Sequence, residues 1–287
     1  MALGSAGFTG TGGSHDKYVP EIWSASIQAA FEVQTKTKPH TLDLSSMLSA
    51  QGGDVLRVPK IANRSATTRT LTTMSQITPV GATESDFTMN VQTWAIDPEF
   101  VSDALTAQTK LFKFSQIDGK MRNSLAVKFD TDLLANYSSI TASLGDNTGG
   151  TNLGPDDLFD AVEQLHTNNI DDLGNMVFIL SPKTYTAMLK NSTITSQDWV
   201  DEKSKVTGRV PMIGGVKVVM SNNLPSHANG GKANLLLHKE CLAFAIAQPA
   251  RVRTEENLDY LGTTIVGDMI YGSGCYRAEA GVVLYGK

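Results

Sequence analysis

The stretch GGDVLRVPKIANRSATTRTLTTMSQITPVGATESDFTMNVQTWAI, residues 52–96, decides how this chain is read. Gly52-Gly53-Asp54 predicts a turn, and Val55-Leu56-Arg57-Val58-Pro59 predicts a strand closed by proline. Phe87, Met89 and Val91 alternate with polar residues as a second strand would, and the slip of phase to Trp94 and Ile96 predicts a bulge or a change of face. Between the two strands lies a long run of Thr, Ser and Ala whose main charges are Arg64, Arg69, Glu84 and Asp86. It holds too little apolar surface to form a core. So long an insertion is uncommon inside a compact domain and belongs either to a linker or to a loop whose partner lies outside the fold. The threonines favour the second case, because β-branched residues support strand and a linker would be richer in Gly, Pro and Glu. The stretch therefore predicts a long two-stranded projection, with a mobile surface loop as the alternative.

Downstream, Asp97-Pro98-Glu99 predicts a helix start, with a carboxylate at the cap, proline in the first turn and an acid beside the positive end of the dipole. Phe100, Ala104 and Leu111 would open its apolar face. After a weak point at Asp118-Gly119, Met121, Leu125, Phe129 and Leu133 continue it at four-residue steps, a stripe that winds around the helix and can touch more than one layer. The Gly-rich loop DNTGGTNLG before Pro155 is the candidate subdomain boundary. Pro155-Asp156-Asp157 starts a helix with Leu158, Ala161, Val162 and Leu165 on one face. Met176 to Leu180 reads as a buried strand, and Ser181-Pro182 caps a helix carrying Tyr185, Met188 and Leu189. Ile213-Gly214-Gly215-Val216 marks a tight turn into a strand that Asn222-Asn223-Leu224-Pro225 ends. Short strands follow at 235–237, 242–247, 252–253, 264–266 and 281–285, so the fold class is α+β rather than a regular βαβ repeat.

Upstream, residues 1–17 are rich in Gly, Ser and Thr and should form a flexible arm. Ile22, Trp23, Ile27, Ala30 and Phe31 then predict a short amphipathic helix opened by Pro20 and anchored by Trp23.

The composition excludes several function classes. The chain has 287 residues, 41% of them apolar, enough for one large or two modest cores. Its 24 basic and 29 acidic residues leave a net charge of -5, against tight binding of phosphate, so nucleic acid nearby should be held loosely. The opening residues lack the pattern of a secretion signal, so a cytoplasmic site of synthesis is expected. The longest strongly apolar run, Cys241 to Ala247, is far short of a bilayer span, and no membrane partner is expected. Cys241 and Cys275 are the only cysteines and read as reduced, buried hydrophobes, while the five histidines fall at no ligand-like interval. No metal or cofactor is expected.

Catalytic patterns are equally thin. Ser273, in Gly272-Ser273-Gly274, lacks the following helix of a nucleophile elbow and reads as a strand turn. Gly10-Thr11-Gly12-Gly13 lacks the Lys of a phosphate loop. Asp156-Asp157 and Asp171-Asp172 sit where carboxylates cap helix ends or turns, Asp146-Asn147 lacks the rest of a calcium loop, and His166 suits a helix C-terminus. Arg251 and Arg253 alternate with Val252 before Glu255-Glu256, a strand edge suited to charge pairs between subunits.

In their order these features resemble the major capsid proteins of tailed phages. The matching pieces are Pro20-Glu21-Ile22-Trp23 after a polar arm, Gly53 to Pro59 leading into the Thr-rich loop, the long helix after Asp97-Pro98, and Ile179-Leu180-Ser181-Pro182. Ile213-Gly214-Gly215-Val216 through Pro225, then Tyr271-Gly272 with Ala280-Gly281-Val282-Val283, complete the series. The resemblance spans nearly the whole chain, each piece being a loose pattern whose order is the specific part. It implies a tailed-phage capsid-type fold with an N-terminal arm at 1–22, an N-terminal helix and connection at 23–49, and an extended two-stranded loop at 50–96. A peripheral domain with a long spine helix would occupy 97–150 with 248–270, and an axial domain 151–247 with 271–287. The implied function is a non-enzymatic subunit that assembles with itself, through hexamers and pentamers, into an icosahedral virion shell around double-stranded DNA.

The same resemblance implies that the extended loop lies over a neighbouring subunit, and the reading of the loop and strand edge makes Trp23, Arg57, Lys60, Arg64, Arg69, Glu84, Asp86, Arg251 and Arg253 the expected contact residues. Some relatives crosslink through a lysine in that loop; here Lys60 stands only at its base, so a non-covalent shell is expected. The short arm implies a separate scaffolding protein, alongside a portal protein, a possible decoration protein and weak contact with packaged DNA. Assembly would take place in the host bacterial cytoplasm. The rivals are an encapsulin-like nanocompartment shell of the same fold and a soluble α+β hydrolase with a mobile lid at 60–86.

Overall fold

The computed structural model describes residues 36–51, 53–61, 66, 68, 81, 84–104, 114–145, 153–190, 212–227 and 231–286. The expected arm, the helix anchored by Trp23, and Arg64 and Arg69 lie outside the described residues, as does most of the Gly-rich loop at 146–152. The chain runs β1 (Leu42–Asp43), α1 (Ser45–Gln51), β2 (Val55–Ile61), β3 (Glu84–Asn90), β4 (Thr93–Ser102), α2 (Phe114–Ala135) and β5 (Ala142–Gly145). It continues through α3 (Pro155–Thr167), β6 (Met176–Leu180), α4 (Pro182–Lys190), β7 (Met212–Ile213), β8 (Val216–Met220), β9 (Lys232–His238), β10 (Leu242–Asn257), β11 (Gly262–Cys275) and β12 (Gly281–Gly286).

The strands form three sheets: four strands in the order β1-β10-β11-β4, six in the order β5-β12-β9-β6-β8-β7, and the pair β2-β3. The six-stranded sheet is covered by α3, whose Leu158, Ala161 and Leu165 are buried, and its central strands are buried along their length, Met176–Leu180 and Ala233–His238 among them. Continuous apolar runs of this kind are what a strand covered on both faces requires. The expected turn at Gly214-Gly215 is present, both residues having positive φ (57° and 83°), which only glycine adopts without strain. Ser181 caps α4 as expected, its Oγ accepting the Thr184 amide at 3.2 Å.

The long helix packs on β4, β10 and β11 of the four-stranded sheet, and its later turns join the core that the six-stranded sheet shares. Met121, Leu125, Phe129 and Leu133 are all buried, and their winding stripe meets successive layers. Met121 packs with Val101 and Ile265 of the four-stranded sheet. About two turns further on, Phe129 meets Phe244 at 5.4 Å and Tyr271 at 5.0 Å, both edge to face.

Four expectations are corrected. The helix predicted from Asp97-Pro98-Glu99 is instead β4, which pairs antiparallel with β11 from Thr93 to Ser102, with Pro98 opposite Val266. A proline that cannot donate is tolerated there because β4 is an edge strand. The phase slip after Val91 marks the passage from β3 into a different sheet, Val91 being buried and Trp94 and Ile96 exposed. The strands predicted at 242–247 and 252–253 form one continuous strand, β10, whose register shifts between Ile246, Gln248 and Arg251 absorb Pro249 as bulges. Ser273 also lies within β11 rather than in a turn; its glycine neighbours leave room for the β2-β3 hairpin, since a Cβ at Gly272 would meet Asn90 O at 2.5 Å and one at Gly274 would meet Phe87 at 3.2 Å.

Candidate functional site

Two surfaces stand out, and both follow from strand alternation. The first is the β2-β3 hairpin. Leu56 faces Met89 and Val58 faces Phe87 across the pair. This apolar side is seated on Leu44, Leu48, Ala243 and Ala245. The opposite side carries Arg57 beside Thr88 and Pro59 beside Asp86, with Arg57 and Asp86 exposed. Asp86 accepts a long hydrogen bond from Thr88 Oγ1 at 3.4 Å. Glu84 pairs with Ile61 at the described limit of the hairpin.

Lys60 is committed within the chain. Its ammonium donates to the Tyr276 carbonyl and sits 3.9 Å from the Tyr276 ring and 5.3 Å from that of Phe87. Burial holds its pKa below the usual lysine value. It thus anchors the far end of the described hairpin to the residue that follows β11.

The second surface is the outer face of the four-stranded sheet, the side away from α2. Trp94, Ile96 and Phe100 project from one face of β4, with Pro98 between the last two, and are 63%, 57% and 47% exposed. The tip joining β10 to β11 adds Leu258, Tyr260 and Leu261, exposed at 76%, 74% and 67%. Phe100 and Tyr260 meet edge to face at 6.4 Å, so strand and tip form one apolar area. Large apolar side chains clustered in this way mark a surface that is covered in use.

The charges on the same face are fixed by one buried carboxylate. Asp268 accepts two hydrogen bonds from Arg251, at 2.8 and 2.9 Å, and one from Gln248 at 3.0 Å, with Arg253 at 3.6 Å. Burial alone would raise this carboxyl, but the bonds from Arg251, Gln248 and the Trp94 indole hold it below its ordinary range. Arg251 and Arg253 keep 43% and 58% of their side chains exposed. Arg253 lines a groove of about 220 Å³ together with Trp94, Glu255, Val266 and Asp268.

The structure thus gathers Arg251 and Arg253 on the outer sheet face and Arg57, Lys60, Glu84 and Asp86 on the hairpin. Asp268 and the Trp94-Ile96-Phe100 stripe were missed by sequence reasoning, although the two-residue spacing of the stripe was visible; the Asp97-Pro98 helix signal masked it. The acidic pairs have structural work, Asp157 accepting the Gly154 amide at 2.7 Å and Asp171 lying 2.8 Å from His166. Among the described residues no group of His, Cys, Asp and Glu could hold a metal, and no helix is long and apolar enough to cross a membrane.

A family model described as phage capsid protein matches residues 90–284. No curated protein matches the sequence. Among solved structures, the capsid of the cyanophage P-SCSP1u is 21% identical, covering 94% of this chain and 91% of that one with a TM-score of 0.73. A structure from Mycobacterium phage Che8 is 19% identical, covering 95% and 99% with a TM-score of 0.75. The virus-like particle from Pyrococcus furiosus is 13% identical, covering 90% and 95% with a TM-score of 0.57.

Proposed function

The chain belongs to the phage capsid protein family and is a structural, non-enzymatic major capsid protein, and from that premise we propose that its copies close through hexamers and pentamers into an icosahedral shell around double-stranded DNA. The observation that carries this reading is the pairing of a hairpin, polar on its free side, with an outer sheet face whose aromatic and aliphatic side chains stand uncovered in the single subunit. In the proposed contact the extended loop of one subunit lies along β4 and the β10-β11 tip of its neighbour. Trp23, Arg57, Arg64, Arg69, Glu84 and Asp86 belong to the side that reaches out, and Arg251 and Arg253 to the side that receives. Lys60 serves at one remove, by setting the angle at which the loop leaves the body.

Residues 1–22 would serve as the arm and 50–96 as the extended loop. The four-stranded sheet with α2 supports a peripheral domain, and the six-stranded sheet with α3 and α4 supports an axial one. Each subunit touches several neighbours, so contacts of about 1,200–2,000 Å² suffice and remain individually weak enough to correct errors. The net charge of -5 suits a wall that does not adhere to packaged DNA. Assembly in the bacterial cytoplasm, with scaffolding and portal proteins and room for a decoration protein, completes the reading.

Negative-stain microscopy of the purified chain tests it: closed particles are expected, and a solution of monomers alone would overturn it. Nucleic acid within particles from infected cells separates a genome container from a nanocompartment, which would hold protein cargo. Arg64→Glu and Arg69→Glu should each yield folded subunits that do not assemble; normal particles from both would remove these arginines from the contact.

A further inference from the structure

The chain's two cysteines, far apart in sequence, come together at the junction of the two large sheets. The backbone passes between those sheets at 239–241, from β9 to β10, and again at 276–280, from β11 to β12. Cys241 ends the first crossing and Cys275 precedes the second. Leu242 is the register partner of Cys275, and the Cys241 carbonyl accepts the amides of Tyr276 at 2.8 Å and Arg277 at 3.2 Å. Arg277 also reaches across to Glu240 at 2.8 Å. The sulfur of Cys241 is tightly enclosed, since a Cβ at Gly281 would meet it at 2.6 Å.

We propose that Cys241 and Cys275 are a redox pair that closes to an intrachain disulfide under oxidising conditions and fastens the two crossings together. Register and shared backbone hydrogen bonds place the two residues in adjacent rows at the end of one ladder. The chemistry of the two thiols is divided. Cys241 is fully buried, and the hydrogen bond it donates to Cys275, followed by burial, holds its pKa well above the usual thiol value. Cys275 is only partly buried, and the bond from Cys241 together with the nearby Lys60 ammonium brings its pKa down. Cys275, the more accessible of the two sulfurs, is therefore the attacking group and the enclosed Cys241 the resolving one.

With a hydroperoxide as oxidant the steps balance. The Cys275 thiolate attacks one peroxide oxygen, the O–O bond breaks, and Cys275 becomes a sulfenic acid while hydroxide leaves. Cys241 then loses its proton and attacks the Cys275 sulfur; the S–O bond breaks and water departs. Two thiols are oxidised by two electrons and one hydrogen peroxide is reduced to two waters.

The full-length chain, free or assembled, is treated with hydrogen peroxide at neutral pH, its remaining thiols are alkylated with iodoacetamide, and its peptides are mapped without reduction. The expected result is loss of both thiols together, a linked peptide joining residues 241 and 275 of one chain, and an upward shift of the urea midpoint that dithiothreitol reverses. In Cys275→Ser, Cys241 should react with peroxide at least about tenfold more slowly. Independent oxidation of the two cysteines in the wild-type chain, links between different chains, or a linked chain that melts no higher would each overturn the proposal. The readout lies within one chain, so it stands or falls apart from the shell reading.

Discussion

Replacing Ile96 and Phe100 together by threonine should raise the concentration at which subunits assemble about ten- to hundredfold while each subunit stays folded. The size of the effect follows from exposure. Burying an Ile or Phe side chain completely is worth about 1.5–3 kcal/mol. Ile96 and Phe100 remain 57% and 47% exposed in the single subunit, so covering the rest is worth about 1.5–3 kcal/mol for the pair. About 1.4 kcal/mol is a factor of ten, which gives the stated range. Threonine keeps the β-branched preference of the strand, so the substitution acts on the surface and spares the ladder with β11. Light scattering against subunit concentration measures the assembly threshold, and circular dichroism with urea melting of the unassembled subunit controls for folding. An unchanged threshold with a folded subunit would show that a neighbour does not cover this face, and the reasoning that links exposure to assembly would fail.

Two further outcomes concern stability. Asp268→Asn should cost about 1.5–3 kcal/mol at neutral pH, the value of hydrogen bonds to a charged group. Because the folded carboxyl titrates below its ordinary range, its contribution is fully present above the unfolded pKa of about 3.9 and is lost as pH falls through the lowered folded value. Urea midpoints of wild type and Asp268→Asn should therefore converge on acidification, and a gap that persists to strongly acidic pH would count against the charge as its source. Phe129→Ala should cost about 3–5 kcal/mol, because it empties the position where α2 meets Phe244 and Tyr271. A loss below about 1 kcal/mol would mean that the aromatic cluster does not hold the helix to the four-stranded sheet.

Some of this was legible in the residues. The run Met176–Leu180 could only be a buried strand, and the four-residue steps from Met121 to Leu133 could only be the apolar stripe of a helix. Local turn chemistry fixed Gly214-Gly215 and the cap at Ser181. The failures cluster where local preference and sheet pairing disagree. Asp97-Pro98-Glu99 carries every local sign of a helix start, yet the ladder with β11 and the burial of Ala95 and Val101 outweigh a cap and a dipole worth about 1 kcal/mol each. The strands at 242–247 and 252–253 read as separate because the bulges that join them around Pro249 leave no local pattern in the sequence.

What the sequence determined by itself is what depends on neighbours a few residues away: the α+β alternation, the helix stripes, and an acidic charge balance. Only the tertiary structure decided which strands share a sheet, and with that which side chains share a face. The stripe of Trp94, Ile96 and Phe100, the seat of Arg251 and Arg253 on Asp268, and the meeting of Cys241 with Cys275 all depend on pairing between distant segments. Strand register is set by the summed burial of both partners, a quantity no single segment carries.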